Sequence, residues 1–256
     1  MNVLCDLDGV IYRGGSTLAG VPEALQRLVG SDCSVFFITN NSTRTPEDTA
    51  RKITELTGVE VGGDQVLTSS QAAMTMLSAD DGPVFVVGEE GLRASVRSKG
   101  IELTDDPGQA KSVVVGLTRS LSYGLLADAM EAILAGARFI ATNDDTSFPT
   151  ENGMAPGCGA IVAAIAASTG SKPEVAGKPN QPMRDLINSR FDGPAWIIGD
   201  RVDTDVALAA GEPDWHSVLV LTGVTEPGSP DTAAADHVVD DFPAAVDLVL
   251  RHLQES

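Results

Sequence analysis

Short apolar runs alternate with amphipathic stretches over nearly all of the 256 residues. The runs at 3–6, 35–39, 84–88, 113–116, 139–142, 196–200 and 218–221 are dense in Val, Ile and Phe. Near-continuous runs of this kind suit parallel strands that are covered on both faces. Between them, apolar residues recur at helical spacing. One helix is predicted to begin at Pro46, with Thr45 as its N-cap and Ile53 and Leu56 facing inward. Others are predicted over 92–99, 123–135, 159–168, 183–190, 203–210 and 244–253. Strand and helix in alternation predict an α/β fold with a parallel sheet.

Two segments break this rhythm. Residues 78–83 (Ser-Ala-Asp-Asp-Gly-Pro) and 170–173 (Gly-Ser-Lys-Pro) are polar and contain Gly and Pro, as linkers do. The stretch between them has its own βαβ pattern. The chain is therefore read as a Rossmann-like parallel-sheet core made from residues 1–79 and 173–256, with an α/β domain inserted at 80–172.

Composition narrows the partners. Hydrophobic residues make up 43% of the chain, enough to bury a core and to exclude global disorder. The net charge of −19 opposes nucleic-acid polymers and anionic membranes as partners. Aspartate outnumbers glutamate and only five basic residues are lysine, a bias that raises adaptation to high salt beside ordinary acidic solubility. No apolar stretch approaches the ~20 residues that span a bilayer. Asp6 and Asp8 interrupt the first apolar run, so a signal peptide is not expected. Cys5, Cys33 and Cys158 are widely spaced and odd in number, which fits small buried side chains in a reducing cytoplasm.

Four strand-end motifs carry candidate chemistry. The first apolar run ends in Asp6-Leu7-Asp8-Gly9. If the chain turns after Asp6, both carboxylates can face one site, one as nucleophile and the other handling protons. Alone, the pair is equally a strand-end turn. The run at 35–39 ends in Thr39-Asn40-Asn41-Ser42, whose hydroxyl and amide groups can hold phosphate oxygens or simply cap a helix. Gly177-Lys178-Pro179 fixes one of the few lysines, which can neutralise a transferred phosphoryl group. The run at 196–200 ends in Gly199-Asp200, with Asp203 and Asp205 in the next turn. Asp200 and Asp205 offer the oxygen ligands that Mg²⁺ prefers, and Asp203 is read as a helix cap. Together, Asp6, Thr39, Lys178 and Asp200 are expected side by side along one edge of a single parallel sheet.

These four motifs, in this order, resemble those of the haloacid-dehalogenase (HAD) superfamily. The chain is most similar to its phosphatases with a large α/β (C2-type) cap, the NagD-like and p-nitrophenylphosphatase-like group. Segments 113–117, with Tyr123 and Leu126, 139–144, with Phe148-Pro149, and 156–159 are similar to that cap. The resemblance implies Asp6 as the nucleophile that forms an aspartyl-phosphate and Asp8 as the acid and base. It implies that Thr39 and Lys178 bind the phosphoryl oxygens, with Asn40, Asn41 and Asn143 lining the substrate pocket. It implies Mg²⁺ held by Asp6, the backbone carbonyl of Asp8, and Asp200, with Asp205 acting through water or on Lys178. The implied substrate is a small phosphorylated metabolite such as a sugar phosphate, glycerol phosphate, phosphoglycolate or a nucleotide, and the implied assembly is a homodimer. Thr118 and Asp144 depart from the cap pattern, where Asp and Pro are common.

Other chemistries are disfavoured. Lys178 is followed by Pro, so no P-loop is present, and no Gly-x-Ser-x-Gly elbow occurs. His216, His237 and His252 are scattered along the sequence and read as surface or packing residues. A phosphotransferase or phosphomutase would use the same motifs, but too few residues separate Asp6 from Thr39 for the helical cap of those relatives. A non-catalytic phosphometabolite-binding protein is the third reading. The Asp6/Asp8 pair opposes it, because binding an anion needs no second carboxylate.

Overall fold

Two open parallel sheets organise the chain. The computed structural model describes residues 1–150 and 153–255, with Pro149 of the cap segment described by its backbone alone. The larger sheet has the order His237–Val239, Trp215–Val220, Ala195–Gly199, Asn2–Asp6, Ser34–Thr39, Val66–Thr68. All of its neighbours are parallel. The N-terminal strand lies in the middle, with Asn2 beside Ala195 on one side and Ser34 on the other. The second sheet has the order Glu174–Val175, Arg138–Ala141, Ser112–Val115, Val84–Val87, Leu103–Thr104, again all parallel. The fold is thus a Rossmann-like core carrying an α/β cap.

Both faces of each sheet are covered, which is why the strands read as unbroken apolar runs. Val3, Cys5, Val35 and Phe37 pack under the helices Val21–Val29 and Phe242–Glu255. In the second sheet, Phe85, Val113 and Phe139 pack under Tyr123–Leu134 and Cys158–Thr169. The remaining faces share one apolar cluster. Leu4, Ile38 and Ile197 of the first sheet and Val86, Val114 and Ile140 of the second pack with Ala72, Ala73 and Met74. Those three come from the helix Ser69–Thr75, opened by a reciprocal Thr68–Gln71 capping box.

The second seam differs from expectation. Gly170, at φ 70°, closes the helix Cys158–Thr169, so residues 170–173 form a helix-to-strand turn rather than a linker. The cap sheet runs on through Glu174–Val175, which pairs with Arg138–Ala141. The chain crosses back only afterwards. Arg138 clips both crossings together, bonding Asp81 at 2.8 Å and Glu174 at 3.1 Å.

Two further expectations are corrected. The predicted helix at 203–210 begins as a wide π-type turn, Val202–Val206, before Ala207–Ala209. Asp203 does not cap it but pairs with Arg201 at 2.7 Å. The three histidines, far apart in sequence, converge on one indole. Their rings lie 5.0, 5.4 and 5.0 Å from Trp196 for His216, His237 and His252. Adjacent strands bring the first two there, since Trp196 is in register with His216 and His237 with Val218. The cysteines are free thiols, and burial raises Cys5 and pushes Cys158 up to about 11, so both behave as small apolar groups. No helix among the described residues is long and apolar enough to cross a membrane.

Candidate active site

Three strands of the larger sheet end at one cavity of about 820 Å³. Asn2–Asp6 delivers Asp6 and Asp8, Ser34–Thr39 delivers Thr39, Asn40 and Asn41, and Ala195–Gly199 delivers Asp200. Lys178 and Asn143 also line it, but they arrive from the other side. Lys178 follows the cap strand Glu174–Val175, so it does not lie on the same sheet edge as the other motifs. Its ammonium meets them across the gap.

Lys178 Nζ donates to Asp6 Oδ1 at 2.7 Å and to Asp205 Oδ1 at 2.6 Å, with all three side chains buried. Burial alone would lower the Lys178 pKa, but Asp205 and Asp6 outweigh it and hold it above its ordinary value. Burial raises the Asp6 carboxyl well above the usual carboxylate range; Lys178 pulls against that, and Asp205 and Asp200 add to it. Burial also raises Asp8, opposed by Lys52, Lys178 and Arg44. Asp205 does not reach the cavity wall. Its second oxygen accepts from the Arg201 backbone at 3.2 Å, and both oxygens are committed to holding neighbours.

The backbone around these groups leaves no spare room. Gly9 has φ +87°, and a Cβ there would lie 2.7 Å from Asp200 Oδ2. A Cβ on Gly177 would lie 2.5 Å from Asn40 Oδ1, the atom that accepts from the Lys178 N–H at 2.8 Å. Asn40 also donates to the Lys178 carbonyl at 3.2 Å and to Asp145 at 3.1 Å. Its amide is therefore spent on fixing Lys178. Asn143 donates to the Asn40 carbonyl at 2.7 Å, and Asn41 accepts from the Thr43 N–H at 2.9 Å. Both asparagines have polar atoms engaged within the protein, whereas Thr39 keeps its hydroxyl beside the cavity, accepting from the Asn41 N–H at 3.0 Å.

The donor set fits a hard divalent cation. Carboxylate oxygens of Asp6, Asp200 and Asp205 lie within 4.8 Å of one another, and all three residues are buried. One ammonium against three carboxylates leaves excess negative charge in a low-dielectric pocket, an arrangement of high cost without a cation. Asp200 Oδ2 accepts from the Val224 N–H at 2.6 Å, while Asp200 Oδ1 is buried with no hydrogen-bond partner among the described residues. Burial and Asp205 push the Asp200 carboxyl up to about 7. An orphaned buried oxygen beside two more carboxylates is what an oxygen-liganded Mg²⁺ site requires.

Several lining residues were not legible in the sequence. Asp145 sits on the cap wall 3.7 Å from Arg201, in addition to its bond with Asn40. The only local signal was its place just past an apolar strand. Thr118, the cap departure, is buried and accepts from the Ser120 N–H at 3.2 Å, while Asp144 is exposed.

Comparison with known proteins agrees with this geometry. Residues 3–102 match the family described as haloacid dehalogenase-like hydrolase, and residues 175–245 match a second HAD-hydrolase-like model. A dihydroxyacetone phosphatase of Corynebacterium glutamicum is 35% identical over 233 residues, 88% of this chain and 82% of that protein. A hypothetical protein from Pyrococcus horikoshii superposes with a TM-score of 0.89 at 35% identity, covering 97% of this chain and 99% of the other. The glycerol phosphate phosphatase of Mycobacterium tuberculosis, solved with magnesium, superposes with a TM-score of 0.85 at 32% identity, covering 94% and 74%. Motif order, sheet topology and relatives converge: the chain belongs to the haloacid-dehalogenase-like hydrolases, as a phosphatase of the NagD-like kind.

Proposed function

We propose that this chain is a Mg²⁺-dependent phosphatase that hydrolyses a small phosphomonoester through an aspartyl-phosphate on Asp6. The observation that carries this reading is the buried trio Asp6, Asp200 and Asp205 around a single ammonium, with Asp200 Oδ1 left unpartnered. In the first half-reaction an Asp6 carboxylate oxygen attacks phosphorus, and the bond from phosphorus to the leaving oxygen breaks. Asp8 gives its proton to that oxygen. Its raised pKa supports the role, because an acid must be protonated near neutral pH. In the second, Asp8 takes a proton from water as the water oxygen attacks phosphorus, releasing inorganic phosphate and regenerating Asp6. Thr39 and Lys178 bind the phosphoryl oxygens, Asp205 and Asn40 hold Lys178 in place, and Asn143 steadies Asn40. When bound by Asp6, Asp200 and the Asp8 carbonyl, Mg²⁺ supplies charge neutralisation for the carboxylates and the phosphoryl group.

The cavity has the size of a small-molecule site. Relatives named for dihydroxyacetone, glycerol phosphate, sugar phosphates and 5'-nucleotides support a small phosphorylated metabolite as substrate. The test is phosphate release from p-nitrophenyl phosphate. Turnover should require Mg²⁺, stop with EDTA, and disappear in Asp6→Asn. Full turnover in Asp6→Asn overturns the mechanism.

A further inference from the structure

The leaving-group side of the cavity carries two cations that this chemistry does not use. Lys52 lies on the helix Pro46–Thr57 and Arg44 just before it, and both line the cavity with Asp8. Lys52 Nζ sits 3.4 Å from the centroid of the Tyr12 ring. Tyr12 is tied to the Asp8 turn by a backbone bridge and by the Gly9 N–H, which donates to its carbonyl at 2.9 Å. The ring therefore fixes the ammonium beside the proton-transferring carboxylate.

The other cations near this wall are spoken for. Arg119 pairs with Glu89, Arg201 with Asp203 and Asp145, and Arg51 with Asp48. Among the described residues neither Lys52 nor Arg44 has a carboxylate within ion-pair distance, and Glu55 at the rim reaches neither. Burial lowers Lys52, Asp8 opposes that, and the charge of Arg44 adds to it. Asp8 offsets part of this charge, and in a chain with 36 acidic and 17 basic residues two cations against one carboxylate at a cavity wall call for an anion from outside.

We infer that Lys52 and Arg44 form a second anion subsite, and that the substrates are phosphomonoesters whose leaving alcohol carries another anionic group, a carboxylate or a second phosphate. The inference rests on the phosphatase reading of the same cavity. The leaving oxygen must stand at Asp8 to receive its proton, so the rest of the alcohol extends toward these two side chains. A guanidinium offers paired donors to either anion, and an ammonium offers a point charge.

Two matched substrate pairs test this. 3-Phosphoglycerate and glycerol 3-phosphate share a skeleton and differ by a carboxylate against a hydroxymethyl group. Fructose 1,6-bisphosphate and fructose 1-phosphate differ by a second phosphate. The kcat/KM for the doubly anionic member of at least one pair should exceed that of its partner by about tenfold or more. That ratio should fall toward one in Lys52→Met and in Arg44→Gln, and should survive in Lys52→Arg. Taking a ratio cancels any common effect on Asp8. No preference in either pair, or a preference untouched by both charge-removing substitutions, overturns the subsite. p-Nitrophenyl phosphate separates the two claims: a chain that hydrolyses it without preference loses the subsite alone, and a chain that hydrolyses no phosphomonoester loses both.

Discussion

In the six-stranded sheet, Asn2–Asp6, Ser34–Thr39 and Ala195–Gly199 run out into the buried polar groups Asp6, Thr39 and Asp200. In the five-stranded sheet, Val84–Val87 and Ser112–Val115 run out into Gly88 and Gly116, and Arg138–Ala141 into Thr142 and Asn143. The layers are alike, parallel and covered on both faces, yet one edge carries charge and the other mostly small or neutral groups. The cap edge is built for approach. A Cβ on Gly116 would lie 2.6 Å from Ser42 Oγ, the atom that accepts from the Leu117 N–H at 3.2 Å. Gly91 lies against the Arg44 backbone and donates to the Thr43 carbonyl at 3.1 Å. Buried ionised groups are costly, so the carboxylates gather at the core edge, and the cap strand Glu174–Val175 brings in the buried Lys178 ammonium that meets them. The rest of the opposite edge closes over them.

The comparison breaks most readily at the core edge. Asp8→Asn should lower kcat by about 10²–10⁴-fold, the range for loss of a general acid and base, while phosphate still binds. Steady-state kinetics with product inhibition by inorganic phosphate would show both. Asp200→Asn should act in two directions. The Mg²⁺ concentration for half-maximal activity should rise by about tenfold or more. In EDTA, however, the variant should unfold at higher temperature than the parent, because removing an uncompensated buried carboxylate stabilises by about 1–4 kcal/mol. A lower melting temperature in EDTA would mean that Asp200 is structural.

Cap-side changes should be smaller. Asn143→Ala removes one of the two donors to the Asn40 carbonyl, which keeps the Ser69 hydroxyl, and also the acceptor of the Asp145 N–H, and should cost about 1–3 kcal/mol in thermal stability, with a parallel fall in kcat/KM. Smallest is Asp81→Ala at the first crossing, expected to lose about 1 kcal/mol with kcat unchanged. Hydrogen bonds from Ser78, aided by Arg138, hold the Asp81 carboxyl down at about 2, against 3.8 when unperturbed. A carboxyl depressed in the folded state stabilises fully above its unfolded value and loses that contribution as pH falls through its folded value. The stability gap between parent and Asp81→Ala should therefore be constant above about pH 5 and shrink toward pH 2. Chemical unfolding across that window measures it.

The chemistry was legible wherever a buried run ended in a charged or hydroxyl group, as at Asp6, Thr39 and Asp200, because burial and charge conflict in any strand. What stayed illegible depended on register and on which sheet a strand joined. Glu174–Val175 has too few residues to declare a partner, so Lys178 reads as a core strand end although it enters from the cap side. The helix Ser69–Thr75 packs against both sheets through Ala72, Ala73 and Met74, and a segment buried so widely shows no helical period. Its Thr68–Gln71 capping box was the available signal. The histidines around Trp196 meet through strand register and the C-terminal helix, which no spacing in the sequence encodes.

The central position of Asn2–Asp6 has a consequence for synthesis. Asn2–Asp6 leaves the ribosome before both of its partners; Ser34–Thr39 follows it closely, and Ala195–Gly199 emerges much later. The residues of the second sheet, Val84 through Val175, emerge in between as one unbroken stretch. Closing the larger sheet therefore joins the most distant parts of the chain, and contacts of such separation form slowly. The Asp6 strand would spend translation with one apolar edge open, and the acidic chain around it keeps such half-made molecules apart by mutual repulsion.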